Sequence, residues 1–312
     1  MQLFSYRKNG AARAGVVVND GGLDVAVLER AMAAGGDEVF AESIRQPLPE
    51  ATCMIDLLAA GADRLGRLAT AVDRAREAPL DGVLLSLDSI DFVVPTPGSH
   101  KILCVGRNYL EHVSEANRDV SGEPVLFCRY EDSLVAHREP LERPAVSKQL
   151  DWEGELAAII GRRCRYVDEE DALGAVAGYA AFNDGSVRDY QFHTGQWTPG
   201  KNFLRSGSYG PYLVTSDEVP DPQDVHLETR VNTVVVQSAC TATMIFSLRR
   251  IISYISMWTE LRPGDVIATG TPAGVGGART PKWFLEPGDQ VSVSIAGIGV
   301  LSNPIVQGEG PD

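Results

Sequence analysis

Apolar residues fall in short runs bounded by Gly, Pro, Asn and Asp clusters, the pattern of strands in a mostly β fold. Residues 1–30 read as short strands separated by turns: MQLFSYR, AGVVV, a turn at Asn19-Asp20-Gly21-Gly22, then LDVAVLERAM. Residues 50–79 are rich in Ala and Leu and read as helix. VLLSLDSIDFVVPTP then leads out through Pro95 and Pro97 to KILCVG. That proline-bounded crossing separates a small N-terminal α+β domain, 1–95, from a larger domain, 96–312.

Beyond the crossing, strands are expected at 101–106, 124–129, 153–160, 177–183, 209–215, 225–239, 265–270 and 290–295. Helices are expected near 109–117 and 243–260, where MIFSLRRIISYISMW has apolar residues at helical spacing. The uneven spacing of the strands fits a regular βαβ repeat poorly. The class is mainly β with some α.

Charge narrows the partners. The formal net charge is -14 and no dense Lys/Arg face is visible, which disfavours nucleic acid. A small anionic substrate is compatible with it, because a local metal ion or Lys/Arg pocket outweighs the global field. The five cysteines are scattered without a CxxC pair and read as reduced thiols of a cytoplasmic protein. MQLFSYRKNGAARAGVVV lacks the run of a signal peptide, and the apolar stretches are too short to span a membrane.

The segment LDWEGELAAIIGR places Glu153 and Glu155 two apart in an oily run. On a strand they share one face, and two buried carboxylates repel each other unless something positive stands between them. A third acid, Asp184, follows the candidate strand in GYAAFNDGSVRDYQ, with Arg188 and Gln191 just beyond. Three hard oxygen ligands suit Mg²⁺ or Mn²⁺. The same residues also satisfy a plainer reading, in which Glu153 pairs with Arg162 or Arg188 and Asp184 caps a turn.

In VGRNYLEHVSEANRD, His112 and Glu115 are three apart on a short helix and so share a face. A carboxylate there holds the imidazole in one tautomer and strengthens it as a base; an exposed polar pair is the alternative. The Gly106-Arg107-Asn108 turn precedes that helix. Lys201, after Pro199-Gly200, is either an ammonium beside an anionic oxygen or a solvated loop lysine. In VIATGTPAGVGG, successive glycine amides with Thr271 form either an anion-binding nest or an ordinary hairpin turn.

As an ordered set, these segments resemble the fumarylacetoacetate hydrolase family. KILCVGRNYLEHVSEA, LDWEGELAAIIGR, GYAAFNDGSVRDYQ, QWTPGKNF, GPYLV, LRPGDVIATGTPAGVG and FLEPGD carry the resemblance, over roughly residues 95–305. It implies a mixed β-sandwich or β-roll catalytic domain after a small N-terminal domain, in a homodimer. It also implies one Mg²⁺ or Mn²⁺ per subunit on Glu153, Glu155 and Asp184, with His112 and Glu115 as a catalytic dyad on a segment that orders over substrate. Lys201 is then catalytic, and Arg107, Arg188, Gln191 and Thr271 contact substrate oxygens.

The chain departs from the pattern at Arg129-Tyr130, where many relatives have Lys-Pro; this pair is expected to border the substrate pocket. A second departure is Asn232-Thr233, where relatives usually have an Asn-Gly turn. The resemblance implies cleavage of a C–C bond in a 1,3-diketo acid such as an acylpyruvate, with water activated by His112. Isomerisation of a 2-hydroxydienoate or decarboxylation of a β-keto acid uses the same metal–enolate logic and is the alternative.

Overall fold

A computed structural model describes residues 1–310 except 35–39, 41, 44–45, 47–49, 51, 79–82 and 118. Its centre is the strand Gly154–Ile160, every residue of which is buried. Ala157 and Ile159 point into one apolar cluster, while Leu156, Ala158 and Ile160 point into another. This is the period-2 alternation of a strand covered on both faces, which explains why GELAAII reads as continuously apolar.

Around it lies a twelve-stranded mixed sheet. Gly154–Ile160 pairs antiparallel with Val176–Asn183 on one side and with Val266–Ala268 on the other. Val266–Ala268 continues in parallel to Ile102–Gly106, which pairs with Val125–Arg129 at the edge. In the other direction Val176–Asn183 pairs with Gly207–Thr215, and Gly207–Thr215 with Gln2–Lys8. Residues before 95 are therefore hydrogen-bonded into the same sheet as those after it. A five-stranded sheet containing His226–Val231, Gln290–Ile295 and Gly299–Gln307 packs on one face, with the helix Leu248–Trp258 beside it. The N-terminal helices cover the other face.

The expected strands hold with shifts of a few residues, four elements differ, and the strand Gly299–Gln307 is one the pattern did not predict. LDVAVLERAM contains a helix, Val25–Ala34, in place of a strand. Asp24 decides it: its carboxylate accepts from the amides of Ala26 (3.0 Å) and Val27 (3.2 Å), an N-cap worth about 1 kcal/mol. Arg13 fixes that carboxylate with a 2.6 Å ion pair. The helix expected over 50–79 is two, Met54–Ala59 and Ala62–Glu77, broken at Gly61 with φ +82°; positions 51 and 79 lie outside the described residues.

The run 225–239 is likewise two strands, His226–Val231 and Val234–Cys240. Asn232 at φ 54° makes the turn between them. Asn tolerates the left-handed region, so the hairpin closes without the Asn-Gly pair. The long helix is shorter than expected, Leu248–Trp258, because Ser247 caps it by accepting from Arg250 N at 3.2 Å. No helix among the described residues is long and apolar enough to cross a membrane.

His137 joins the two regions of the chain. Its ring meets Phe92 edge-on with centroids 5.6 Å apart, and its Nδ1 accepts from Ser302 N at 3.1 Å. Burial, aided by the Arg138 charge, lowers its pKa to about 4. A histidine unfolds to a pKa of about 6.5, so below that pH the unfolded chain binds the extra proton and stability falls. The loss accrues from about pH 6.5 downward and saturates below about 4. His137→Asn, whose Oδ1 replaces Nδ1 as acceptor, should lose less stability than the wild type between those pH values. Urea unfolding of both proteins at pH 7 and pH 4.5 checks this; parallel losses would remove His137 as the cause.

Candidate active site

Strand register assembles the acids. Gly154 pairs with Asn183 and Glu155 with Phe182, and Asp184 N donates to Glu153 O at 2.8 Å. The two glutamates at one strand start therefore meet the aspartate at the end of the next. Ligand oxygens of Glu153, Glu155 and Asp184 all lie within 4.8 Å of one another, and all three residues are buried. Gly154 between the glutamates has no room for a side chain, since a Cβ would lie 2.0 Å from Thr229 Oγ1.

Three cations surround the acids. Lys201, on the short helix Thr198–Lys201, places Nζ 2.7 Å from Glu153 Oε2 and 2.5 Å from Asp184 Oδ2. Arg188 Nη1 is 2.7 Å from Glu153 Oε1 and donates to Gln191 Oε1 at 2.9 Å. Arg129 Nη1 donates to Asp184 Oδ1 at 2.7 Å. These cations pair with Glu153 and Asp184 and leave Glu155 without one, and Lys201 is neither solvated nor in a loose loop.

The electrostatics split the acids. Burial alone would raise the pKa of Glu153, but the Lys201 and Arg188 charges outweigh it and hold the carboxyl far below its usual range. Burial pushes Glu155 well above that range, and the Asp184 and Glu153 charges push it further. Lys201 is held above its ordinary pKa by Asp184 and Glu153, against the opposing effect of burial. The all-oxygen donor set, with one carboxylate the lysine and arginines leave uncompensated, fits a hard divalent cation. A structural zinc site would draw on Cys or His.

His112 and Glu115 form the expected pair, with Nδ1 2.8 Å from Glu115 Oε1. Glu115 Oε2 accepts from Gly274 N at 2.9 Å. The turn before the helix is locked by Asn108, fully buried, whose side chain bonds Phe246 N and O and Thr269 O. Arg107 adopts φ 59° there, with its guanidinium 5.1 Å from the Trp197 ring centroid.

The glycine-rich segment does form a nest, and its anions belong to the protein. Gly270 N donates to Glu155, Gly274 N to Glu115, and Gly276 and Gly277 N to Asp151. Thr271 Oγ1 donates to Gly154 O at 3.0 Å and accepts from Gln237 Nε2 at 2.7 Å.

One cavity of about 470 Å³ is lined by His112, Glu115, Glu153, Glu155 and Lys201, together with Arg107, Arg188, Gln191 and Thr271. Asp184 sits behind them, bonded to Lys201 and Arg129. Arg129 and Tyr130 do not line this cavity, which corrects the pocket-bordering expectation. Arg129 turns inward to Asp184, and Tyr130 is 58% exposed. Residues missed in the sequence are Asn108, Gln237 and Asp151. Asp151 was the most accessible of them, because it extends the Glu153/Glu155 spacing back by two.

Residues 101–306 match the family described as fumarylacetoacetate (FAA) hydrolase C-terminal. The chain belongs to the fumarylacetoacetate hydrolase family. Within it, a mitochondrial oxaloacetate tautomerase of Xenopus laevis is 40% identical over 225 residues, 72% of this chain and 70% of the relative. The fumarylacetoacetate hydrolase structure of Exiguobacterium antarcticum is 34% identical, with a TM-score of 0.78 over 99% of this chain and 100% of that one. A maleylpyruvate hydrolase from Sphingobium sp. SYK-6, solved with manganese(II) and pyruvate, is 28% identical, with a TM-score of 0.75 over 99% and 100%. Family membership and the buried triad together support a metal-dependent catalytic activity on an oxo- or diketo-acid.

Glu155→Gln separates the metal from the fold. It removes the carboxylate that burial and its acidic neighbours disfavour, so the metal-free protein should melt about 2–4 °C higher, the shift that about 1 kcal/mol gives a large domain. Mn²⁺ affinity should fall by at least about tenfold. Thermal melts in EDTA and calorimetric Mn²⁺ titration check both; unchanged affinity would remove Glu155 from the ligand set.

Proposed function

We propose that the protein is a divalent-metal-dependent isomerase that interconverts the keto and enol forms of a small 2-oxo acid of the oxaloacetate type. The observation that carries this reading is the His112–Glu115 pair, which lines the same cavity as Glu153 and Glu155 of the buried acid triad. The similarity to an oxaloacetate tautomerase supports isomerisation over the C–C hydrolysis placed first on sequence. Mg²⁺ and Mn²⁺ both suit the ligands Glu153, Glu155 and Asp184.

With Nδ1 bonded to Glu115, His112 presents Nε2 as the base. It takes a proton from the carbon next to the keto group, and the imidazolium that forms is balanced by Glu115. The proton then returns at the keto oxygen, giving the enol with no water consumed. Arg188 and Gln191 hold substrate oxygens, and Lys201, kept charged by Glu153 and Asp184, offsets the negative charge that develops. A divalent cation bound by the triad supplies Lewis-acid charge that favours the enolate form. Glu115, fixed by Gly274 N, sets the tautomer of the neutral imidazole and holds the ring in place when it becomes an imidazolium.

The decay of enol absorbance after dissolving oxaloacetate tests the proposal. Mg²⁺-loaded protein should accelerate ketonisation well beyond buffer, and His112→Ala should lose about 100-fold of that acceleration while binding Mn²⁺ normally. Release of pyruvate and the matching acid from acylpyruvates, with no effect on oxaloacetate, would favour hydrolysis instead. Carbon dioxide release would favour decarboxylation.

A further inference from the structure

Asp151 has no part in the reaction described above, yet its side chain is fully buried and both oxygens are engaged. Oδ1 accepts from Trp152 N at 2.9 Å and Gly276 N at 2.7 Å. Oδ2 accepts from Gly277 N at 2.8 Å and Arg188 Nε at 2.7 Å. Such charge-assisted bonds are about twice as strong as neutral ones. The approach needs glycine: a Cβ at 276 would sit 1.8 Å from Trp283 O and 2.8 Å from Asp151 Oδ1. The strap held this way, through Val275, Gly277, Ala278 and Arg279, forms part of the cavity wall.

Arg188 shows what the carboxylate is holding. Its Nε is on Asp151 and its Nη1 on Glu153 and Gln191. Nη2 is buried with no hydrogen-bond partner, on a side chain that lines the cavity. A charged donor left unmatched in a buried site is costly in the free protein, and a ligand oxygen satisfies it.

We propose that Asp151 is a positioning residue: it ties the Arg188 guanidinium and the 275–279 strap into one unit, leaving Nη2 as the donor for a substrate oxygen. Asp151→Asn turns one acceptor into an amide donor, so either the strap amides or Arg188 Nε lose their partner. The orientation of Arg188 is then lost while its charge remains. The kinetic consequence rests on the proposed oxo-acid reaction; the geometric one does not.

Asp151→Asn should raise KM for oxaloacetate about tenfold, with a smaller change in kcat. In Arg188→Lys the same substitution should add less than about twofold, because both changes remove one interaction. Multiplying effects, or an unchanged KM with only a lower Tm, would overturn the proposal. Independently of turnover, the Arg188 Nε–H resonance should be exchange-protected in the wild type and lose that protection in Asp151→Asn; retained protection would overturn it. A wild type inactive on oxaloacetate would sink the proposed reaction and leave the resonance to decide. If Asp151→Asn does not fold, Gly277→Ala is read the same way, since its Cβ would press on Asp151 Oδ2 at 3.2 Å and Arg188 Nε at 3.4 Å.

Discussion

Buried acids brought within 4.8 Å of one another by strand register are the constraint on which this structure turns. Taking each carboxylate out of water costs several kcal/mol, and deleting one partner of a buried pair costs about 3–5 kcal/mol. The surrounding residues are therefore not free to vary independently. Lys201, Arg188 and Arg129 answer the oxygens of Glu153 and Asp184, and the Gly270 amide answers one oxygen of Glu155. The sheet keeps these partners in place because its central strand is buried on both faces, so a slip of one residue would turn the acids away from Asp184.

This dependence explains what the sequence revealed and what it hid. Gly154–Ile160 and Val176–Asn183 were legible because a fully covered strand must be apolar throughout, and an acid inside such a run is conspicuous. Spacing on single elements singled out Glu153 with Glu155 and His112 with Glu115, and the family resemblance joined Asp184 to them and implied their roles. Asp151 carried the same signal, two residues before Glu153, but its partners at Gly276 and Gly277 are 125 and 126 residues away. Arg129 was misread for the related reason that an edge strand's sequence does not say which way a guanidinium turns. Val25–Ala34 went the other way: VAVL is a short apolar run with β-branched residues that reads as a strand, and one capping carboxylate, itself fixed from another strand by Arg13, selects the helix.

The glycine-rich segment shows how a local motif changes meaning in three dimensions. Consecutive amides with glycine flexibility do collect anions, as the composition suggested. Here the anions are Glu155, Glu115 and Asp151, so the segment acts as a clamp on the side chains that form the site. That leaves side-chain donors to meet a ligand under the proposed function, and Arg188 Nη2 is a buried, cavity-lining donor without a protein acceptor.

The same clamp bears on why one architecture serves both isomerases and hydrolases. A cavity of about 470 Å³ holds a four-carbon oxo acid with space left over, and each water needs only about 30 Å³. Water therefore fits in this cavity beside such an acid, and the chemistry of the substrate bears on which reaction follows. The substrate supplies the difference. An acylpyruvate presents a distal ketone, an electrophile that water beside His112 can attack. In oxaloacetate that carbon is a carboxylate, already negative and resonance-stabilised, so attack there is disfavoured. The proton on the intervening carbon is acidic in both. On the proposed function, a base fixed by Glu115 would carry the second substrate only as far as the enol.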